Sequence, residues 1–162
     1  MIYVKGNLLE SPVRIIAHQV NCLGIMGGGI ALQIKNKWPK VFEDYKEFIE
    51  DWEYCNGGEL PLGHCYVTIL NREPGRRIVA NIFGQNGIGG MATDYEAVKK
   101  GFIELHKYLI SDKLYRYDSQ IPVGIPYKMG CGLGGGDWNT YREMLQELED
   151  EYNFLFIVHV LG

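Results

Sequence analysis

No stretch of this sequence approaches the roughly 18 consecutive apolar residues that a membrane-crossing helix needs, and the opening Met1-Ile2-Tyr3-Val4-Lys5-Gly6 is too short an apolar run for an export signal. A cytoplasmic protein that meets no membrane is therefore expected. Positive charge is not in excess: 16 Lys and Arg stand against 20 Asp and Glu, a formal net charge of -4. That disfavours broad nucleic-acid binding, which wants a basic stripe, but leaves room for one phosphate-bearing small molecule held locally. The cysteines Cys22, Cys55, Cys65 and Cys131 include no C-x-x-C pair, and with His18 and His64 they give no metal-ligand spacing. Free thiols, no metal and no cofactor are the expectation. No linker and no repeat interrupts the 162 residues, of which 46% are apolar and 22% charged. One globular domain over 1–162 is expected, as a monomer. What the sequence has in excess is glycine, 21 residues, and they are clustered.

Apolar periodicity places the clusters. Val4 ends a short strand, Gly6-Asn7 breaks it, and Val13 to Val20 reads as a buried strand. The loop Asn21 to Gly29 runs into a helix with Ile30, Ile34 and Trp38 at helical spacing; Pro39 opens a second helical stretch to about Trp52. His64 to Leu70 and Arg77 to Phe83 read as a hairpin around Pro74-Gly75, followed by a flexible loop from Gln85 to Gly90. Thr93 with Glu96 offers a capping box for a helix whose stripe is Tyr95, Val98, Phe102, Leu105 and Leu109. Ile121 to Pro126 is a strand, Met129 to Gly136 a glycine-rich loop, and a helix from near Asp137 buries Trp138, Tyr141, Leu145 and Leu148. Phe154 to Leu161, apolar but for His159, reads as a last strand at the interior of a sheet covered on both faces. The order β-β-α-α-β-β-α-β-α-β implies an α/β domain with a mixed sheet between helical layers.

Two glycine-rich loops, each between a strand and a helix, are a means of presenting backbone N–H groups and helix N-termini to an anion. Two such loops would grip a pyrophosphate from both sides. The commoner nucleotide motifs do not fit. A Walker A loop needs Lys-Ser/Thr after its last glycine, where Ile30-Ala31 and Asp137-Trp138 stand here. Gly24-Ile25-Met26-Gly27-Gly28-Gly29 lacks the dinucleotide spacing.

Gly6-Asn7-Leu8-Leu9, His18-Gln19-Val20-Asn21-Cys22, Met26-Gly27-Gly28-Gly29-Ile30-Ala31 and Gly130-Cys131-Gly132-Leu133-Gly134-Gly135, in that order and spacing, resemble the macrodomain pattern over essentially the whole chain. The likeness is to the branch holding the ADP-ribose 1″-phosphate phosphatases and the terminal ADP-ribose protein glycohydrolase. It implies a three-layer α/β/α macrodomain-like fold with a central mixed six-stranded sheet, and ADP-ribose or ADP-ribose 1″-phosphate as the small-molecule partner. Asn7 stands where many members carry an Asp that bonds the adenine amino group, and Leu8 would add a backbone contact. Asn21 would approach the distal ribose. Met26, Gly27, Gly28, Gly29 and Ile30, with Gly130, Cys131, Gly132, Leu133, Gly134 and Gly135, would wrap the pyrophosphate and distal ribose.

Departures from the pattern bear on the reaction. Ala31 follows Ile30 where one hydrolase branch has a catalytic Asp. Gly134 follows Leu133, and the middle strand ends Phe83-Gly84-Gln85, so the Lys and Asp pair of the glycohydrolase pattern is missing. The phosphatase pattern remains, with His18 resembling a histidine implicated in that branch and Asp137 placed to face the same pocket. The resulting expectation is hydrolysis of ADP-ribose 1″-phosphate to ADP-ribose and phosphate, with His18 and Asp137 catalytic. The alternatives are a hydrolase removing ADP-ribose from protein or nucleic acid, a non-catalytic ADP-ribose reader, and more remotely an unrelated nucleotide-binding α/β protein. Bland roles compete at single positions: a strand-end histidine for His18, a helix N-cap for Asp137, and small size between glycines for Cys131.

Overall fold

The computed structural model describes residues 1–71, 76–87 and 92–161. Among these residues six strands, β1 (Ile2–Lys5), β2 (Ile15–Asn21), β3 (Cys65–Asn71), β4 (Arg77–Gln85), β5 (Ile121–Pro126) and β6 (Phe154–Val160), form one sheet in the order β1-β6-β5-β2-β4-β3. All neighbours pair parallel except β3, which runs antiparallel to β4. The helices α1 (Gly29–Lys37), α2 (Pro39–Cys55), α3 (Tyr95–Ser111) and α4 (Trp138–Tyr152) complete the three-layer α/β/α fold with its mixed sheet, and a 3-10 turn, Leu8–Glu10, follows β1. The Pro74-Gly75 turn and the Ile88 to Gly90 part of the second loop lie outside the described residues.

Alternation along β2 sorts the core. Ile15 and Ala17 join Val98, Phe102, Leu105, Tyr141 and Leu145 of α3 and α4 on one face. Ile16 and Val20 join Ile34 of α1, Val41, Tyr45 and Ile49 of α2, and Leu8 and Leu9 on the other. Each Val, Leu, Ile or Phe side chain among them taken fully out of water contributes about 1.5–3 kcal/mol, which fixes the register, because a slip of one residue would send Ile15 and Ile16 to the wrong faces. The expected stripe of α3 is nearly all buried, with Tyr95 half-covered. Two local expectations shift. Asp94, not Thr93, caps α3, its side chain accepting from Ala97 N, because the Thr93 hydroxyl is drawn to the Gly130 carbonyl instead. The last strand is second from the sheet edge, with Leu155 and Ile157 only half-buried, because beyond it lies only the four-residue β1.

The connections place a crevice. From β2 the chain leaves to α1 on one face; from β5, its neighbour through Ile16↔Gly124, it leaves to α4 on the opposite face. Departure to opposite faces at adjacent strand ends opens a gap at their carboxyl ends, where open α/β sheets hold ligands.

Candidate functional site

The gap is a cleft of about 670 Å³, within the range of small-molecule sites. Its walls are the two glycine-rich loops. Gly27, Gly28, Gly29 and Ile30 line it from the β2–α1 side, and Gly130, Gly132, Leu133 and Gly134 from the β5–α4 side. The loops meet at its mouth, where a Cβ at Gly28 would come within 3.1 Å of Leu133 Cδ1. Among the described residues, the backbone N–H groups of Gly27, Gly28, Gly132, Leu133 and Gly134 have no partner within the protein. Gly28, the N-cap of α1, supplies no side-chain cap, so the first turn of that helix also keeps open donors and the positive end of its dipole. Unspent donors on two facing loops suit an anion with oxygens on both sides.

Each loop is braced from behind. Tyr45, on α2 and fully buried, accepts at its hydroxyl from Gly24 N and Ile25 N, both 3.1 Å. It donates to Asn21, with Oδ1 at 2.7 Å and the carbonyl oxygen at 2.8 Å. Asn21 in turn accepts from Leu23 N and donates to the Ile25 carbonyl. Asn21 thus lines the cleft, but its amide is committed to shaping the loop. The second loop is tied through Gln19. Tyr141 Oη donates to Gln19 Oε1 at 2.9 Å, and Gln19 Nε2 donates to Gln85 Oε1 and Thr93 Oγ1, both at 2.8 Å. Thr93 Oγ1 donates to the Gly130 carbonyl at 2.7 Å, and Thr93 N donates to the Gly134 carbonyl. Burial pushes the Tyr141 hydroxyl well above its ordinary range, so it stays a donor. Gly130 has φ +75°, and a Cβ there would lie 2.5 Å from Gln19 Oε1 and 2.6 Å from Tyr141 Cε2. Only glycine lets the loop approach the network so closely.

The structure brings together Asn7, Leu8, Asn21, Gly27 to Ile30, Gly130, Gly132, Leu133 and Gly134 around the cleft. Met26 is buried in the core instead, and Cys131 and Gly135 are not among the lining residues. Cys131 Sγ points to the Met129 carbonyl, and burial, then nearby Asp137, raises its thiol pKa, which makes it a poor nucleophile. Neither expected catalytic side chain reaches the cleft. His18 shares the parity of Ile16 and Val20, so β2 sends it under the α1 and α2 layer, where it is fully buried. Its Nε2 meets Asn81 Oδ1 at 2.6 Å, and Nδ1 has no partner. Burial, only partly offset by the Asn81 bond, lowers its pKa to about 4, leaving the ring neutral. Asp137 caps α4: it accepts from Thr140 N and Thr140 Oγ1, which lower its pKa, and it is not a lining residue. Sequence reasoning did not assign roles to Gln19, Gln85, Lys128 and His159, all of which line the cleft. For Gln19 the signal was available, since it sits one place out of phase with His18 on the same strand.

No protein-family model matches the chain. An ADP-ribose 1″-phosphate phosphatase of Saccharomyces cerevisiae is 45% identical over 178 residues, covering 94% of each chain. A DNA ADP-ribosyl glycohydrolase of Mycobacterium tuberculosis is 28% identical over 152 residues, 91% of this chain, and the chain spans 39% of that protein's length. The solved macrodomain of Thermus aquaticus DarG superposes with a TM-score of 0.73 at 26% identity, covering 99% of this chain and 97% of that one.

Proposed function

The chain belongs to the macrodomain family, and from that premise we propose that it binds ADP-ribose and hydrolyses ADP-ribose 1″-phosphate to ADP-ribose and inorganic phosphate. The observation that carries the reading is the pair of facing loops whose N–H groups are unspent at Gly27, Gly28, Gly132, Leu133 and Gly134. In this reading Asn7 and Leu8 take the adenine end, and Gly27 to Ile30, with Gly130, Gly132, Leu133 and Gly134, surround the pyrophosphate. The distal ribose lies against the loop that Asn21 shapes. Among the described lining residues the titratable side chains are Tyr127, Lys128 and His159, none of which lies within the segments Gly27 to Ile30 or Gly130 to Gly134. Rate acceleration therefore falls to fixed N–H dipoles around the charged phosphoryl group rather than to a side-chain acid and base. Water forms the new bond to phosphorus and gives up a proton, the bond from phosphorus to the 1″ oxygen breaks, and that oxygen leaves carrying the proton the water released. The yeast phosphatase at 45% identity supports this substrate class.

The test is a phosphorus NMR time course on the purified protein with ADP-ribose 1″-phosphate and no added metal. Growth of the inorganic phosphate signal is expected, and His18→Ala should retain most of the turnover, because His18 is off the cleft. A second reading is favoured by the likeness to the glycohydrolase of Mycobacterium tuberculosis: removal of ADP-ribose from DNA. It predicts no phosphate release, with ADP-ribose appearing from ADP-ribosylated DNA instead. Two features weigh against it: Gly134 follows Leu133 where the glycohydrolase pattern has Asp, and the middle strand ends Phe83-Gly84-Gln85 without that pattern's Lys.

A further inference from the structure

The adenine end of the cleft contains a second polar residue. His159 lies at the carboxyl end of β6, paired with Val4 of β1 and Pro126 of β5, and it lines the cleft with Asn7 and Leu8. Gly6 N donates to the Val160 carbonyl, so Asn7 and His159 sit on adjoining strand ends. The imidazole is held in place. Its Nδ1 meets the Ile157 carbonyl at 2.9 Å, and a carbonyl only accepts, so Nδ1 carries the hydrogen and, in the neutral ring, Nε2 is left as an acceptor. Gly124 makes room for it: a Cβ there would stand 2.8 Å from both Leu8 Cδ1 and Val13 Cγ2, and 3.3 Å from His159 Cε1. Nε2 has no protein partner among the described residues, yet it is not among the buried unpaired atoms. It therefore meets solvent, in a residue that lines the cleft.

Asn7 has the complementary arrangement. Its Oδ1 accepts from Leu9 N at 3.0 Å, capping the 3-10 turn, while its amide N–H₂ has no partner among the described residues. The capping bond thus turns the donor side of the amide outward. A free donor on Asn7 and a free acceptor on His159, lining the same cleft, are complementary in kind to one edge of adenine, where the 6-amino donor stands beside a ring-nitrogen acceptor. Hypoxanthine carries an oxygen acceptor in place of the amino donor, so its 6-position offers His159 Nε2 no hydrogen, and its protonated N1 reverses the whole pattern on the Watson–Crick edge.

Resting on the ADP-ribose reading above, the structure assigns to His159 the acceptor that reads the 6-amino group, making it, with Asn7 as donor, the residue that selects adenine over 6-oxo purines. The test is calorimetric titration of the protein with ADP-ribose and with its hypoxanthine analogue, inosine diphosphate ribose. Wild type should prefer ADP-ribose by about 10-fold or more. His159→Leu should bring the two affinities together, mainly by weakening ADP-ribose. His159→Gln, whose amide oxygen restores an acceptor, should recover the preference. Should His159→Leu fail to fold, nitrogen-15 NMR of the wild-type imidazole replaces it: the Nε2 resonance should move on adding ADP-ribose and stay with the analogue. Tight ADP-ribose binding with the full preference kept in His159→Leu, or an unmoved Nε2 resonance, overturns the assignment and leaves the ligand reading standing. Failure of wild type to bind ADP-ribose overturns both.

Discussion

Replacing Tyr45 by phenylalanine removes one oxygen atom and keeps the ring, which packs against Phe83 with centroids 5.7 Å apart and against Phe42 at 6.2 Å. The change therefore isolates the brace on the first loop. The lost hydroxyl accepts from Gly24 N and Ile25 N and donates to Asn21. An unmet buried polar group costs about 1–3 kcal/mol, but Gly24 and Ile25 are partly exposed, so water can replace some of the bonds. The sum falls at the low end, about 2 kcal/mol, or roughly 4–8 °C in melting temperature for a domain of this size. The loop would then have to be ordered by the ligand, so ADP-ribose affinity should fall by about 10-fold, the equivalent of about 1.4 kcal/mol. Thermal melts and calorimetric titration measure the two effects. A melting temperature within one or two degrees of wild type, together with an unchanged Kd, would refute the reasoning that this hydroxyl holds the loop in its binding shape.

His18 makes stability depend on pH in a defined direction. Its folded pKa, about 4, lies below the ordinary 6.5, so on acidification the unfolded chain takes up the proton first. The stabilising effect is complete above pH 6.5 and is lost as pH falls from 6.5 toward 4, about 3 kcal/mol in all. Urea unfolding between pH 7 and 5 should show this slope, and His18→Leu should flatten it; equal slopes would contradict the burial argument. Gly130→Ala should both destabilise and abolish ADP-ribose binding, because the new methyl group meets Gln19 and Tyr141 in a left-handed backbone conformation that costs about 1–3 kcal/mol by itself. A variant that binds normally would show that the Gln19 network does not set the loop.

The elements were legible where one period dominated a long segment. The α3 stripe and the apolar runs of β2 and β6 carry one signal each, and burial enforces it. The two glycine-rich loops were legible for the same physical reason that they work, since a backbone that must approach an anion closely has few other residues to use. The side chains behind the loops were harder. Tyr141 reads as apolar core and Tyr45 carries no signal that sets it apart within its helix, and only the fold shows that their hydroxyls reach Gln19 and Asn21. His18 misled because its residue type and strand position suggest chemistry, while strand alternation turns it away from the cleft. His159 read as an ordinary strand residue, because the free Nε2 depends on a bond to Ile157 and on the space above Gly124, neither of which sequence spacing expresses.

The most direct measurement of the central claim is a proton–nitrogen NMR titration of the labelled protein with ADP-ribose, following the backbone amides of Gly27, Gly28, Gly132, Leu133 and Gly134. The account predicts that these five resonances move together and more than the rest, as their N–H groups take up phosphate oxygens. Binding that leaves them in place while shifting amides elsewhere would contradict it.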